Sequence, residues 1–258
     1  MMDHQSSLAE LIGWCRFQPL TPGWTHSLPW SSTLPKDAPE ETLAAQFRAL
    51  TAERERSWPP EQLARNIAQR QSLLDRFDQS RVIAVGHQLP DFELIELSGE
   101  HIQRSDLAMR RGHLLIFFRY AQCPACSIAL PYYARRLWPG LAARDIGVIA
   151  ISGQRPDLQR AVRDPATLPF RMASDTGHRL ANTLGITFKP DDRPEPPAPG
   201  WVGELTGTGT WDLSQPTLIA VDRDAIVRWV SVSPDWLVRP EADVVLQALD
   251  TCLQASAR

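Results

Sequence analysis

Two cysteines, Cys123 and Cys126, stand two residues apart in "LLIFFRYAQCPACSIALPYYARRLW", residues 114–138, where an apolar run gives way to a helical pattern. A thiol at a helix start meets unpaired backbone N–H groups and the positive end of the helix dipole, which lower its pKa. That makes Cys123 the candidate nucleophile. Pro124 suits the first helical position, where its missing N–H costs nothing. Cys126, one turn on and on the same face, is then spaced to attack a mixed disulfide or a sulfenic acid on Cys123. Two plainer readings compete: a metal clamp and a pair of packed thiols. Zinc needs four suitable ligands, and His87, His101, His113 and His178 are scattered, so no metal is expected. Cys15 and Cys252 stand alone and read as inert.

The elements that must position this pair follow from the texture of the chain. From about Arg81, short apolar runs alternate with helical patterns: "FELIEL" and "HLLIFFR" read as strands, and "PACSIALPYYARRLWPGL" as a helix interrupted or bent near Pro131. "IGVIAIS" (strand), "PDLQRAVRD" (helix), "PFRMASD" (strand) and "GHRLANTLG" (helix) come next. "PTLIAVD" and "AIVRWVSV" read as an antiparallel pair about "DRDA", and "PEADVVLQALDTCLQ" as a closing helix. This alternation predicts an α/β fold, a mixed sheet with helices on both faces. Residues 189–212 hold five prolines and four glycines, a long loop suited to a lid or a binding loop, and its Trp211 is a candidate roof for the site.

Three regions are expected: an irregular Trp- and Pro-rich arm over 1–36, a helical extension over 37–80, and the α/β domain over 81–258. In the extension Asp37 and Glu40 resemble a capping box, Leu43, Phe47 and Leu50 recur at helical spacing, and Pro59 and Pro60 break the pattern. Leu63, Ile67, Leu74 and Phe77 are the expected apolar face of the second helix.

Composition narrows the function. A net charge of -3 with interleaved signs offers no basic stripe, so no nucleic-acid partner is expected. The sequence shows neither a membrane-length apolar run nor a signal segment at its start, and a cytoplasmic protein is the expectation. Of the 27 basic residues only Lys36 and Lys189 are lysine, leaving 25 arginines, an excess too diffuse to assign a role.

Pro216 opens a strand that otherwise reads as central, a place natural for proline and compatible with a cis bond. A CxxC after a strand together with a proline opening a later strand resembles the thioredoxin fold. Residues 83–254 more specifically resemble the alkyl hydroperoxide reductase and thiol-specific antioxidant (peroxiredoxin-like) family, in "VGHQLPDFELIELSGEHIQRSDL", "IFFRYAQCPAC", "FRMASDTGHRLANTLGI" and "DLSQPTLIAVDRDAIVRWVSVSPDWLVRPEADVVLQAL". The last segment is similar to a bacterial branch with CPxC and an Asp-aromatic-x-x-Arg motif.

The resemblance implies a thiol oxidoreductase that reduces peroxides through a CxxC dithiol. A disulfide reductase without peroxidase activity and a redox-sensing binding module are the alternatives. It implies Cys123 and Cys126 as the working sulfurs, Pro216 beside them and Arg119 to tune them. Tyr120, Pro124, Trp211 and Arg239 are candidates on the substrate side. Arg239 has a second and favoured task, capping the last helix. The family places a proline seven residues and a Thr or Ser three residues before its attacking cysteine. Counted from Cys123 those positions hold Ile116 and Tyr120; counted from Cys126 they hold Arg119 and Cys123. No cofactor is implied, so electrons come from thioredoxin, glutaredoxin or glutathione, and a homodimer is compatible with the reading.

Overall fold

The computed structural model describes residues 42–160, 168–191 and 193–254. The expected arm, the Asp37–Glu40 box, Cys15 and most of the "PDLQRAVRD" helix lie outside those residues.

Two helices come first, α1 (Leu43–Ser57) and α2 (Pro60–Asp75). There follow β1 (Glu93–Glu96), β2 (His101–Gln103), β3 (Gly112–Phe117), α3 (Pro124–Arg136), α4 (Trp138–Ala142), β4 (Ile146–Ser152), α5 (Pro156–Gln159) and β5 (Arg171–Ser174). The chain continues through α6 (Arg179–Thr183), β6 (Thr187–Phe188), α7 (Val202–Thr206), β7 (Leu213–Ser214), β8 (Thr217–Asp222), β9 (Val227–Val232) and α8 (Ala242–Gln254). Seven strands form one mixed sheet in the order β2-β1-β5-β4-β3-β8-β9. β3, β4 and β5 are parallel, whereas β8 lies antiparallel to β3 with Thr217 in register with Phe117.

Every residue of β3, β4 and β8 is buried, which requires cover on both faces and accounts for their near-continuous apolar sequences. Strand alternation divides the core in two. Leu114, Ile116, Phe118, Val148, Ala150 and Leu218 join the core that holds both cysteines and the buried residues of α1, α3 and α8. Leu115, Phe117, Ile149, Ile151 and Ile219 join the other.

The N-terminal helices are tied to the C-terminal end of the chain. Thr42 caps α1 by accepting from the Ala45 N–H at 3.1 Å, and the Glu241 carboxylate accepts from the Leu43 and Ala44 N–H groups at 3.0 and 2.9 Å. Leu43 and Phe47 are buried as their spacing predicts. The expected face of α2 needs correction: Leu73 and Gln69 are buried, while Ile67 and Leu74 are 53% and 45% exposed. The helix is turned by an Arg70–Asp235 ion pair that the apolar periodicity does not register.

α3 is not interrupted at Pro131: it runs through that residue to Arg136, and the break comes at Leu137, ahead of Pro139. Proline removes one backbone donor, a loss that the buried neighbours Leu130, Tyr132 and Tyr133 hold in check. α6 is shorter than "GHRLANTLG" suggests; it begins after His178 in the left-handed region, with Asp175 accepting from the Leu180 and Ala181 N–H groups. The long loop is closed at its base by β6 pairing with β7 and contains α7.

Candidate active site

The dithiol is placed by the turn that leaves β3. The Phe118 N–H prolongs the strand ladder to the Ile151 carbonyl at 2.9 Å. The Arg119 carbonyl then accepts from the Ser152 hydroxyl at 2.9 Å, and the Ala121 N–H donates to Gln154 Oε1 at 2.8 Å. Gln154 donates in turn to Gln122 and to the Leu205 carbonyl, so one buried amide holds the turn against β4 and α7. The Cys123 N–H donates to the Tyr120 carbonyl, Cys123 occupies the N-cap of α3, and Pro124 takes the first helical position as expected.

Both sulfurs are buried and unbridged. The two thiols are hydrogen-bonded neighbours, and the balance of charges favours Cys123 as the protonated partner. Burial pushes the Cys126 thiol up, but that hydrogen bond, the charge and hydrogen bond of Arg239, and a backbone hydrogen bond from Arg119 together hold it well below its ordinary value. Arg239 Nη2 lies 3.6 Å from Cys126 Sγ. Donating to Cys126 raises the Cys123 thiol, burial and the neighbouring sulfur's charge add to this, and Arg119 and Arg239 only partly offset them. The sequence expects the ionised sulfur at Cys123; the nearest guanidinium nitrogen, Arg239 Nη2, stands instead by Cys126 Sγ. A helix start favours an anion, but here the more direct donors converge on Cys126.

Arg119 is not the exposed strand-end cation that a loop arginine suggests: it is 6% exposed, with Cζ 4.3 Å from the Trp236 ring centroid, 5.7 Å from Phe188 and 5.8 Å from Tyr120. The closing Asp-Trp-x-x-Arg motif divides its work. Asp235 takes both ends of the Arg70 guanidinium, Nε to Oδ1 at 2.8 Å and Nη2 to Oδ2 at 2.6 Å, and accepts from the Leu237 N–H. Trp236 lies beneath Arg119. Arg239 donates to the Trp236 carbonyl at 3.0 Å, stands 5.5 Å from the Phe47 ring and reaches Cys126. Arg239 thus faces the sulfurs rather than capping α8, correcting the favoured sequence reading.

Pro216 precedes β8 at the end of the sheet where β3 delivers the cysteines, and its carbonyl accepts from the Ser233 N–H. Among the described residues the cis peptide is Glu195–Pro196, so the bond before Pro216 is trans. Trp211 stacks obliquely on Trp201 with centroids 4.8 Å apart, and both pack against the core that contains the cysteines. Tyr120 enters the site through its carbonyl and through its ring beside Arg119.

Sequence reasoning missed Arg54. It continues the buried face Leu43, Phe47, Leu50, Arg54 along α1, is 6% exposed, and lies 4.7 Å from the Trp58 ring centroid with Nη1 unpartnered. Its signal was a charged residue at a core-facing helical position, hidden among 25 arginines.

A mixed sheet with a dithiol at the start of the helix after its central strand defines a thioredoxin-like thiol protein. The AhpC/TSA family matches residues 85–230, which is 146 of 258 residues, and the chain belongs to that family. A 103-residue stretch is 27% identical to peroxiredoxin bcp1 of Schizosaccharomyces pombe; it covers 40% of this chain and about half, 52%, of that protein. Among solved structures, peroxidoxin BcpB of Mycobacterium tuberculosis is similar with a TM-score of 0.51 and 20% identity, over 66% of this chain and 97% of that one. Peroxiredoxin 6 of Arenicola marina is similar with a TM-score of 0.54 and 18% identity, over 68% of this chain and 76% of that one. These likenesses establish the fold. Among the described residues no helix is long and apolar enough to cross a membrane.

Proposed function

We propose that the protein is a thiol peroxidase in which Cys126 attacks the peroxide and Cys123 resolves. The observation that carries this reading is the Arg239 guanidinium beside one sulfur, with Nη2 3.6 Å from Cys126 Sγ; in keeping with it, the Cys126 thiol is held well below its ordinary value while that of Cys123 is pushed up. In the family, a Thr or Ser three residues before the attacking cysteine serves that cysteine; Cys123 stands at that spacing and offers its own hydrogen to Cys126. It can thus be both the donor and the resolving thiol.

The Cys126 thiolate takes the terminal oxygen of a hydroperoxide as the O–O bond breaks. Sulfur is oxidised to the sulfenic acid, the peroxide is reduced, and the departing oxygen leaves as alcohol or water with the proton that Cys123 gives up. The Cys123 thiolate then bonds to the Cys126 sulfur and expels hydroxide, which is protonated by solvent. The resulting Cys123–Cys126 disulfide is reduced by two external thiol groups, with thioredoxin, glutaredoxin and glutathione as the candidate donors.

Single-turnover kinetics with hydrogen peroxide test the assignment. Cys126→Ser is expected to abolish peroxide consumption. Cys123→Ser is expected to retain a slowed first turnover and to accumulate a sulfenic acid that dimedone traps. Dimedone labelling of Cys123 in the Cys126→Ser protein would reverse the roles, and turnover of disulfides alone would mark a disulfide reductase.

A further inference from the structure

Arg239 reaches Cys126 Sγ from the segment ahead of α8, with Nη2 at 3.6 Å, and the family match, ending at residue 230, does not extend to it. A side chain of that length keeps such a distance only if its own backbone is held. The next residue is Pro240, whose ring locks φ and leaves no backbone donor, so its carbonyl is the one polar group by which it can be tied. That carbonyl accepts from the Tyr133 hydroxyl at 2.9 Å.

Tyr133 follows Cys126 by seven residues on α3, two turns on and on nearly the same face, about 10 Å along the axis. One helix thus carries both the sulfur and the strut that sets where the Arg239 backbone runs. The Tyr133 ring is 2% exposed and meets the Tyr132 ring edge-on with centroids 5.6 Å apart. Burial pushes its hydroxyl up, so it stays protonated and able to donate. Tyr132 does not duplicate the bond, because its hydroxyl donates to the Glu241 carboxylate at 2.5 Å.

We propose that Tyr133 is a positioning residue for the attack on peroxide: by holding the Pro240 carbonyl, its hydroxyl keeps the Arg239 guanidinium beside Cys126 Sγ. This rests on the peroxidase reading above. Without the hydroxyl the Pro240 carbonyl loses its bond, and the cation spends less time against the sulfur. Cys123 and Arg239 face Cys126 with their side chains, and Arg119 meets it through its backbone. Arg239, Tyr132 and Glu241 are the charged and titratable groups about Tyr133.

The test reads Cys126 in Cys123→Ser protein, from the pH dependence of its alkylation by iodoacetamide, followed by mass spectrometry of the peptide that carries it. Adding Tyr133→Phe keeps the ring and removes the hydroxyl; the profile is expected to move up by about half a pH unit, as a loosened nearby cation requires. With Arg239→Gln also present, the same change should move nothing, because the two residues act through one contact. No shift while Arg239 is present, or an equal shift once it is gone, overturns the inference. In protein with both cysteines, Tyr133→Phe should move the pH profile of hydrogen peroxide consumption the same way. If even the wild type consumes no peroxide, the peroxidase reading fails; the alkylation arm, which needs no peroxide, still decides whether Tyr133 acts through Arg239. Far-UV circular dichroism of each variant separates these outcomes from misfolding.

Discussion

Arg70 of α2 grips Asp235 through two parallel hydrogen bonds of 2.8 and 2.6 Å, although the two residues lie 165 positions apart. The pair holds the N-terminal helices to the segment that carries Trp236 and Arg239. An electrostatic site is only as good as the residues that hold its charges in position.

Arg70→Met is expected to lower stability by about 2 kcal/mol, the scale of charge-assisted hydrogen bonds lost from a partly buried carboxylate. Asp235 keeps its bond to the Leu237 N–H, so the segment should loosen rather than unfold. Thermal unfolding measures the loss. A slower reaction with hydrogen peroxide at pH 7 should accompany it, because Arg239 then wanders from Cys126.

Arg239→Gln tests the charge at Cys126 directly. This thiol lies below its ordinary value, and Arg239 contributes both by charge and by hydrogen bond. Removing the cation raises the pKa, so the thiolate forms only at higher pH. The pH profile of peroxide consumption should move up by about 1–3 units, the direction that follows from losing a nearby cation. An unmoved profile would show that Arg239 is not what keeps Cys126 ionised.

His113, buried in β3, gives a pH effect remote from the sulfurs. Burial and the nearby Arg110 lower its pKa to about 4 from 6.5. The fold thus favours the neutral ring. That preference stabilises the native state fully above the unfolded value, and is lost as pH falls from 6.5 through about 4. The loss amounts to about 3 kcal/mol. His113→Leu should flatten this part of the stability curve, as measured by urea unfolding at pH 7 and pH 4.5. The ring packs against Gly147, where an added Cβ would come within 2.5 Å of it, so replacements at Gly147 would confuse the comparison.

The strands were legible because their chemistry is local. Period-two and continuous apolar runs marked β3, β4, β8 and β9, and three of these, β3, β8 and β9, also lie in the segments that carried the resemblance to the peroxiredoxin-like family. β2, β6 and β7 are only two or three residues long, too short for a period to show, and β6 and β7 are defined by pairing with each other across the long loop. The facing of α2 was misread for a related reason. Its orientation depends on an ion pair to residue 235, and an apolar stripe carries no record of such a pair.

Sequence alone determined that a sheet would deliver two thiols, one helical turn apart, at the start of α3, since spacing, capping and apolar periodicity are written into adjacent residues. Which charged side chain stands beside the pair was decided by the tertiary structure. Arg239 comes within 3.6 Å of Cys126 Sγ from 113 positions along the chain, and electrostatic energy depends on distance through space rather than along the sequence.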